Sequence, residues 1–151
     1  MVLPLTSINL VIPNSGVAEI IGYSRPRSLP DSSDWFPGVV LWRGVYVPVV
    51  IVEKLCSLAL NPIGPRARIA VLYNPQKNAE VPYVGIQMLD IPRAYLAELG
   101  KMETGSDDDL SPYFLSRLDD DLSARVIPNL DVIISELEPE FTPEKLKYLS
   151  D

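Results

Sequence analysis

The chain has 151 residues, of which 47% are hydrophobic, with one cysteine, no histidine and a formal net charge of −7. That is enough apolar chain to bury a core in one domain or two small lobes without disulfide staples. A polyanion such as nucleic acid or an acidic membrane is opposed by the charge everywhere except at a local patch. The missing histidine excludes Ser-His-Asp and Cys-His catalysis and the common zinc sites. No apolar run reaches the roughly 18 residues that a membrane span needs. The longest, Val45 to Val52, is broken by Pro48. With no basic leader region at the N-terminus, a cytoplasmic protein without cofactor or metal is expected. Cys56 then reads as a small hydrophobe in a reducing compartment.

Fifteen prolines and eight glycines are scattered along the sequence and cut it into short runs rich in Val, Ile and Leu, which is the pattern of a small barrel or sandwich. In chain order, strands are expected at Leu5–Ile12, Gly16–Ser24, Gly38–Arg43 and Val45–Val52, followed by a short helical exit at Glu53–Leu60. Pro30 to Asp34 reads as a loop. A second set follows at Arg66–Tyr73, Val81–Leu89, Ala94–Met102, Ala124–Ile127 and Leu130–Leu137. The break at Asn61-Pro-Ile-Gly-Pro65 separates the two groups.

Gly105-Ser-Asp-Asp-Asp109 lacks the alternating ligands, glycine and terminal glutamate of a calcium loop. Its acidic residues instead suit the first turn of a helix over about 108–118. Asp119-Asp-Asp121 reads as a solvated turn. At the C-terminus, Thr142-Pro-Glu combines an N-cap, a proline at the first helical position and an early acid, which predicts a short helix over about 142–150.

The most specific stretch is Val17 to Val52. Val17-Ala-Glu-Ile-Ile, Pro37-Gly-Val-Val-Leu-Trp-Arg-Gly44 and Val45-Tyr-Val-Pro-Val-Val-Ile-Val52 each read as strand, and Gly44 marks a tight hairpin between the last two. Alternation puts Trp42 and Arg43 on opposite sides, so that the arginine stands as a planar donor fork on a rigid hairpin. The same alternation puts Val17 and Glu19 on one face. Pro48, which lacks a ladder donor, belongs on an edge or at a bulge.

From Val17 to Pro48 the chain resembles, without gaps, the CheW-like domains, adaptor modules of bacterial chemosensory arrays, with their V-x-E-I, proline-bearing loop and G-V-x-N-L-R-G-x-x-V-P-V. Gly85 in Tyr83-Val-Gly-Ile-Gln-Met88 and the Leu130-Asp-Val-Ile-Ile134 run resemble later strands of the family, so that the likeness extends over roughly Ile8 to Leu137. The resemblance implies a mainly all-β fold of two five-stranded barrel lobes, approximately 12–65 and 66–137, that exchange strands, with a helical tail at 138–151. It also implies an adaptor, not an enzyme, that joins the cytoplasmic tip of a chemoreceptor to the regulatory domain of a CheA-like histidine kinase. Arg43, Val17 and Gly44 match receptor-contacting positions, and Glu19, Pro48 and Gly38 match kinase-contacting ones.

The chain departs from the family pattern at Leu41, Trp42, Ile51, Val52, Glu53 and Leu89, with Asp90 one step late. These departures point to an accessory adaptor of a divergent system, such as one that controls type IV pili. An oligonucleotide-binding small barrel is the alternative, and it needs a basic groove and aromatic stacking faces. A hydrolase built on carboxylates alone would have to use Asp31 and Asp34 in their serine-rich loop.

Overall fold

The computed structural model describes residues 1–76, 80–94, 103–104, 111–120 and 123–149. Strands β1 (Val2–Pro4), β2 (Asn9–Val11), β3 (Val17–Gly22), β4 (Gly38–Trp42) and β5 (Val45–Val50) lead to a one-turn helix α1 (Val52–Leu55). Strands β6 (Arg68–Tyr73), β7 (Tyr83–Met88), β8 (Glu103–Thr104), β9 (Phe114–Asp120) and β10 (Ser123–Pro128) follow. Helices α2 (Leu130–Leu137) and α3 (Pro143–Leu146) close the described chain. The fold is mainly β, in two five-stranded sheets ordered β3-β6-β7-β5-β4 and β1-β2-β10-β9-β8. The sheets do not divide where the chain breaks near residue 65. Strands β6 and β7 complete the sheet of β3–β5, while β1 and β2 join β8–β10 through a parallel pairing of β2 with β10.

The central sheet is apolar on both faces because it is covered on both. On one face, Val39 of β4, Val50 of β5, Leu72 of β6 and Met88 of β7 join Leu3, Leu10 and Val126 of the other sheet in a single core, closed by Ile133, Leu137 and Leu149. On the other, Val40, Trp42, Val47, Val49, Ile69 and Val71 pack against one another. Such self-contact requires the sheet to curl around them. Gly85 faces this interior: a Cβ there would stand 3.1 Å from Ile69 Cγ2 and 3.4 Å from Val49 Cγ2. Each fully buried Val, Leu or Ile in the two clusters contributes about 1.5–3 kcal/mol of transfer free energy.

Several expected elements differ, each for a physical reason. Leu5–Ile12 is not one strand: a turn closed by Leu5 N–H to Ile8 O at 3.0 Å folds β1 back on β2. Leu130–Leu137 is a helix. Asn129 caps it by accepting from Val132 N–H at 3.4 Å, and the buried residues Ile133, Ile134 and Leu137 recur at helical spacing. The expected helix over 108–118 is replaced from Phe114 onward by β9, because pairing with β10 from Ser123↔Asp120 to Pro128↔Phe114 outweighs local helix signals. Its start, at 108–110, lies outside the described residues, as do most of Ala94–Met102 and Asp121. Thr142 caps α3 as its sequence predicts, with Oγ1 accepting from Lys145 N–H at 3.3 Å, and a 3₁₀ turn continues to Leu149.

Pro48 sits in a central strand rather than at an edge, since β5 lies between β4 and β7. It is tolerated because its partner Val39 directs its own backbone groups outward to Arg27, with N–H to O distances of 2.9 and 2.8 Å. The position therefore needs no donor toward β4, and its missing N–H faces β7, where the parallel pairing with β5 starts only at Val49↔Gly85. Gly38 permits the close approach of Arg27. Its φ is +140°, and a Cβ on it would fall 1.9 Å from Arg27 O. Gly38→Ala is therefore expected to destabilise the fold by about 3 kcal/mol or more, through backbone strain combined with overpacking. A denaturant melt checks this, and a midpoint unchanged from wild type contradicts the close packing.

Candidate functional site

The β4–β5 hairpin turns on two residues, Arg43 and Gly44, with φ of +48° and +75°. Positive φ at both central positions is the type I′ geometry that matches strand twist. A non-glycine residue there carries about 1 kcal/mol of strain. Arg43 thus belongs to the turn and not to the strand, which corrects the alternation expected from sequence. Its guanidinium carbon lies 4.8 Å from the centroid of the Trp42 ring, on the same side. That stacking returns about 0.5–1 kcal/mol and largely offsets the strain.

Glu19 completes the cluster. Its Oε1 accepts from Arg43 Nη2 at 2.7 Å, and its Oε2 accepts from Trp42 Nε1 at 3.1 Å. The residue reaches them because β3 carries a bulge: Val17 stands opposite Leu72, but Glu19 stands opposite Val71. Residues paired with two successive positions of one strand face opposite ways. Val17 therefore packs on the core shared by the two sheets, while Glu19 lies on the curled side with Trp42. The single face expected for these two residues does not form. Strands β3 and β4 are the two edges of their sheet, so Glu19 clamps the sheet's ends across the seam of the barrel. Trp42 extends the cluster inward with an edge-on contact to Tyr83 at 5.0 Å, and Tyr83 touches Tyr73 at 5.7 Å.

The Arg43 and Glu19 side chains are 66% and 39% exposed, so the pair is open to a partner. Among the other residues singled out by sequence, Gly44 shares the turn and Val17 starts the adjoining strand. Pro48 and Gly38 are buried, and Gly38 stands at the far end of β4. Asp31 and Asp34 are exposed in their loop. Burial raises the Cys56 thiol pKa. Sequence reasoning missed the role of Glu53, which is only 1% exposed. Its Oε2 accepts from the backbone N–H of Thr6 at 3.1 Å and from Thr6 Oγ1 at 2.9 Å. It ties the β1–β2 turn to α1, and the available signal was a lone acid directly after a buried apolar run.

A family model for the CheW-like domain matches residues 1–93. The chain belongs to the CheW-like domain family. Among solved structures, the CheW-like fold is similar to the scaffolding protein TtCheW from Thermoanaerobacter tengcongensis, with a TM-score of 0.68 at 12% sequence identity over 85% of this chain and 83% of that one. No curated protein matches the chain in sequence. Among the described residues, no helix is long and apolar enough to cross a membrane.

The Trp42 hydrogen bond, followed by that of Arg43, holds the Glu19 carboxyl below its ordinary pKa of 4.5. A lowered folded-state value means that the clamp contributes stability above pH 4.5 and loses it as pH falls through the lowered value. With Trp35→Phe leaving Trp42 as the sole tryptophan, its emission is expected to titrate with a midpoint below 4.5 that moves upward when Arg43→Ala is added. A midpoint at or above 4.5 contradicts the clamp.

Proposed function

We propose that this CheW-like chain is a non-enzymatic adaptor that couples the cytoplasmic tip of a chemoreceptor to the regulatory domain of a CheA-like histidine kinase. The observation that carries the reading is the clamped hairpin of Arg43 and Gly44, which lies within the stretch that the family model matches. Glu19 and Trp42 hold the guanidinium in place before any partner arrives, so little rotamer entropy remains to be lost on binding. With only Nη2 bound to Glu19, the other guanidinium donors remain for a receptor carboxylate or main-chain carbonyl. Gly44 lies beside that fork in the turn, and Val17, which faces the core, contributes to a receptor contact only through the backbone at the start of β3. Glu19 adjoins the kinase contact, and the buried Gly38 and Pro48 shape the barrel that presents it.

In this mechanism the adaptor performs no chemistry. It holds receptor and kinase in one lattice, so that a change in the receptor shifts the population of active kinase. Such an adaptor works in the cytoplasm beside membrane-bound receptors, and the departures at Leu41, Trp42 and Ile51 favour a divergent array, such as one that drives type IV pili. The oligonucleotide-binding alternative is disfavoured because Trp42, the centre of the aromatic cluster, is only 8% exposed and offers no open stacking face.

Calorimetry with the regulatory domain of the cognate kinase is expected to give micromolar affinity, as for transient partners. Arg43→Glu is expected to weaken receptor coupling by about 2 kcal/mol or more, the cost of losing an interfacial arginine. Because the side chain is exposed, the melting temperature should change little. Full receptor-dependent activation of the kinase by the variant would remove Arg43 from the interface, and absence of kinase binding would remove the adaptor reading.

A further inference from the structure

Asn61-Pro-Ile-Gly-Pro65 does not divide the two sheets, so the segment needs another account. Pro62 and Pro65 are the only two of the fifteen prolines that stand three residues apart. Residues 61–66 are all exposed, the longest such run among the described residues. No helix or strand includes the segment, and none of its residues has positive φ. Each proline fixes its own φ near about −65° and biases the residue before it toward extended backbone. Polyproline II helix, which has no internal hydrogen bonds, meets all of these conditions. With about three residues per turn, it puts the rings of Pro62 and Pro65 on one face. Among the described residues, no donor reaches the carbonyls of Asn61, Pro62 or Ile63.

The segment is held at both ends. Asn61 N–H donates to Thr6 Oγ1 at 3.0 Å, and that hydroxyl donates in turn to Glu53 Oε2 at 2.9 Å. At the other end, Ala67 N–H donates to Gly64 O at 3.2 Å and closes a turn, while Arg66 Nε is held on Asp90 at 2.7 Å. Glu53 is a costly anchor, because it is only 1% exposed and its Oε1 meets no donor among the described residues. A buried acid that positions a threonine, which positions Asn61, points to a loop whose shape is used. We propose that residues 61–65 are a pre-organised polyproline II ligand that docks in the aromatic-lined groove of a partner domain. Such a groove packs its rings on the paired prolines, and its indole N–H or tyrosyl hydroxyl groups donate to the free carbonyls. Recognition of this kind rests on ring packing and backbone acceptors rather than on charge. The loop leads to Arg68, which stands opposite Gly22 at the end of β3 away from the clamp, so the docking does not depend on the adaptor reading.

The test is a titration of the full chain into an isotope-labelled SH3 domain, whose aromatic groove reads P-x-x-P, followed by the amide shifts of the groove. The wild-type chain is expected to shift the groove residues with saturable, micromolar affinity. Pro62→Ala/Pro65→Ala is expected to weaken binding by about tenfold or more, and Thr6→Ala, which releases Asn61, by about threefold. Should Thr6→Ala disturb the fold, Ile63→Gly loosens the segment without touching Glu53 or either proline and is expected to weaken binding similarly. Arg43→Glu is expected to bind as wild type does, so that this proposal and the receptor contact fail separately. Absence of groove shifts, shifts confined to other surfaces of the SH3 domain, or unchanged affinity in the proline variant or in the loosened variant overturns the proposal. Self-association of the wild-type chain that the proline variant abolishes assigns the loop to a second copy and overturns it as well.

Discussion

Covering the central sheet on both faces is the constraint from which the rest of the structure follows. A sheet whose β4, β5, β6 and β7 carry Val, Ile and Leu toward either side cannot leave one face in water. One face closes on itself by curling, and the other closes against the second sheet and α2. Curling brings the two edge strands β3 and β4 toward each other, and edge strands left open invite wrong pairing. The seam is held by polar side chains at one end, through Glu19, and by backbone bonds of Arg27 and Val39 at the other. The two ends of the seam are therefore closed by different means, side chains at one and backbone at the other.

This economy explains why the exposed cluster is built as it is. An isolated surface ion pair contributes little to stability, and Arg43 occupies a backbone region that disfavours any side chain. The arrangement persists because Trp42, fixed in the barrel interior, anchors both Glu19 and Arg43 from below. Orientation of the guanidinium is thus inherited from the apolar packing of the indole. Remote changes in the interior, at Val40 or Tyr83, can reach the surface through that ring.

The central hairpin was legible in the sequence because its signals are local: a glycine turn, β-branched flanks and a motif without gaps. The mainly β character and the capped C-terminal helix were legible for the same reason. Three features were not. The bulge between Val17 and Glu19 leaves no mark in the residue pattern, yet one inserted residue reverses the facing of everything after it. The helix at Leu130–Leu137 reads as strand when its β-branched residues are weighed ahead of their i, i+3, i+4 spacing. The buried roles of Pro48 and Gly38 depend on β7 and Arg27, neighbours supplied by distant parts of the chain that a local pattern does not name.

The parallel pairing of β2 with β10 joins Asn9 to Arg125 and Leu10 to Val126. During synthesis, β3 through β7 form an unbroken block that can assemble from contacts between near neighbours, and β1 finds backbone partners directly after it, at Leu89 and Arg93, whereas β2 emerges early and lacks its parallel neighbour until β10 is made. Until β10 arrives, Leu10 lacks Val126, and the shared core lacks the α2 residues that close it. The parallel neighbour of β2 is thus among the last strands to be made, although β2 is among the first. The stretch that the family model matches, residues 1–93, consequently ends before the part of the chain that completes its core.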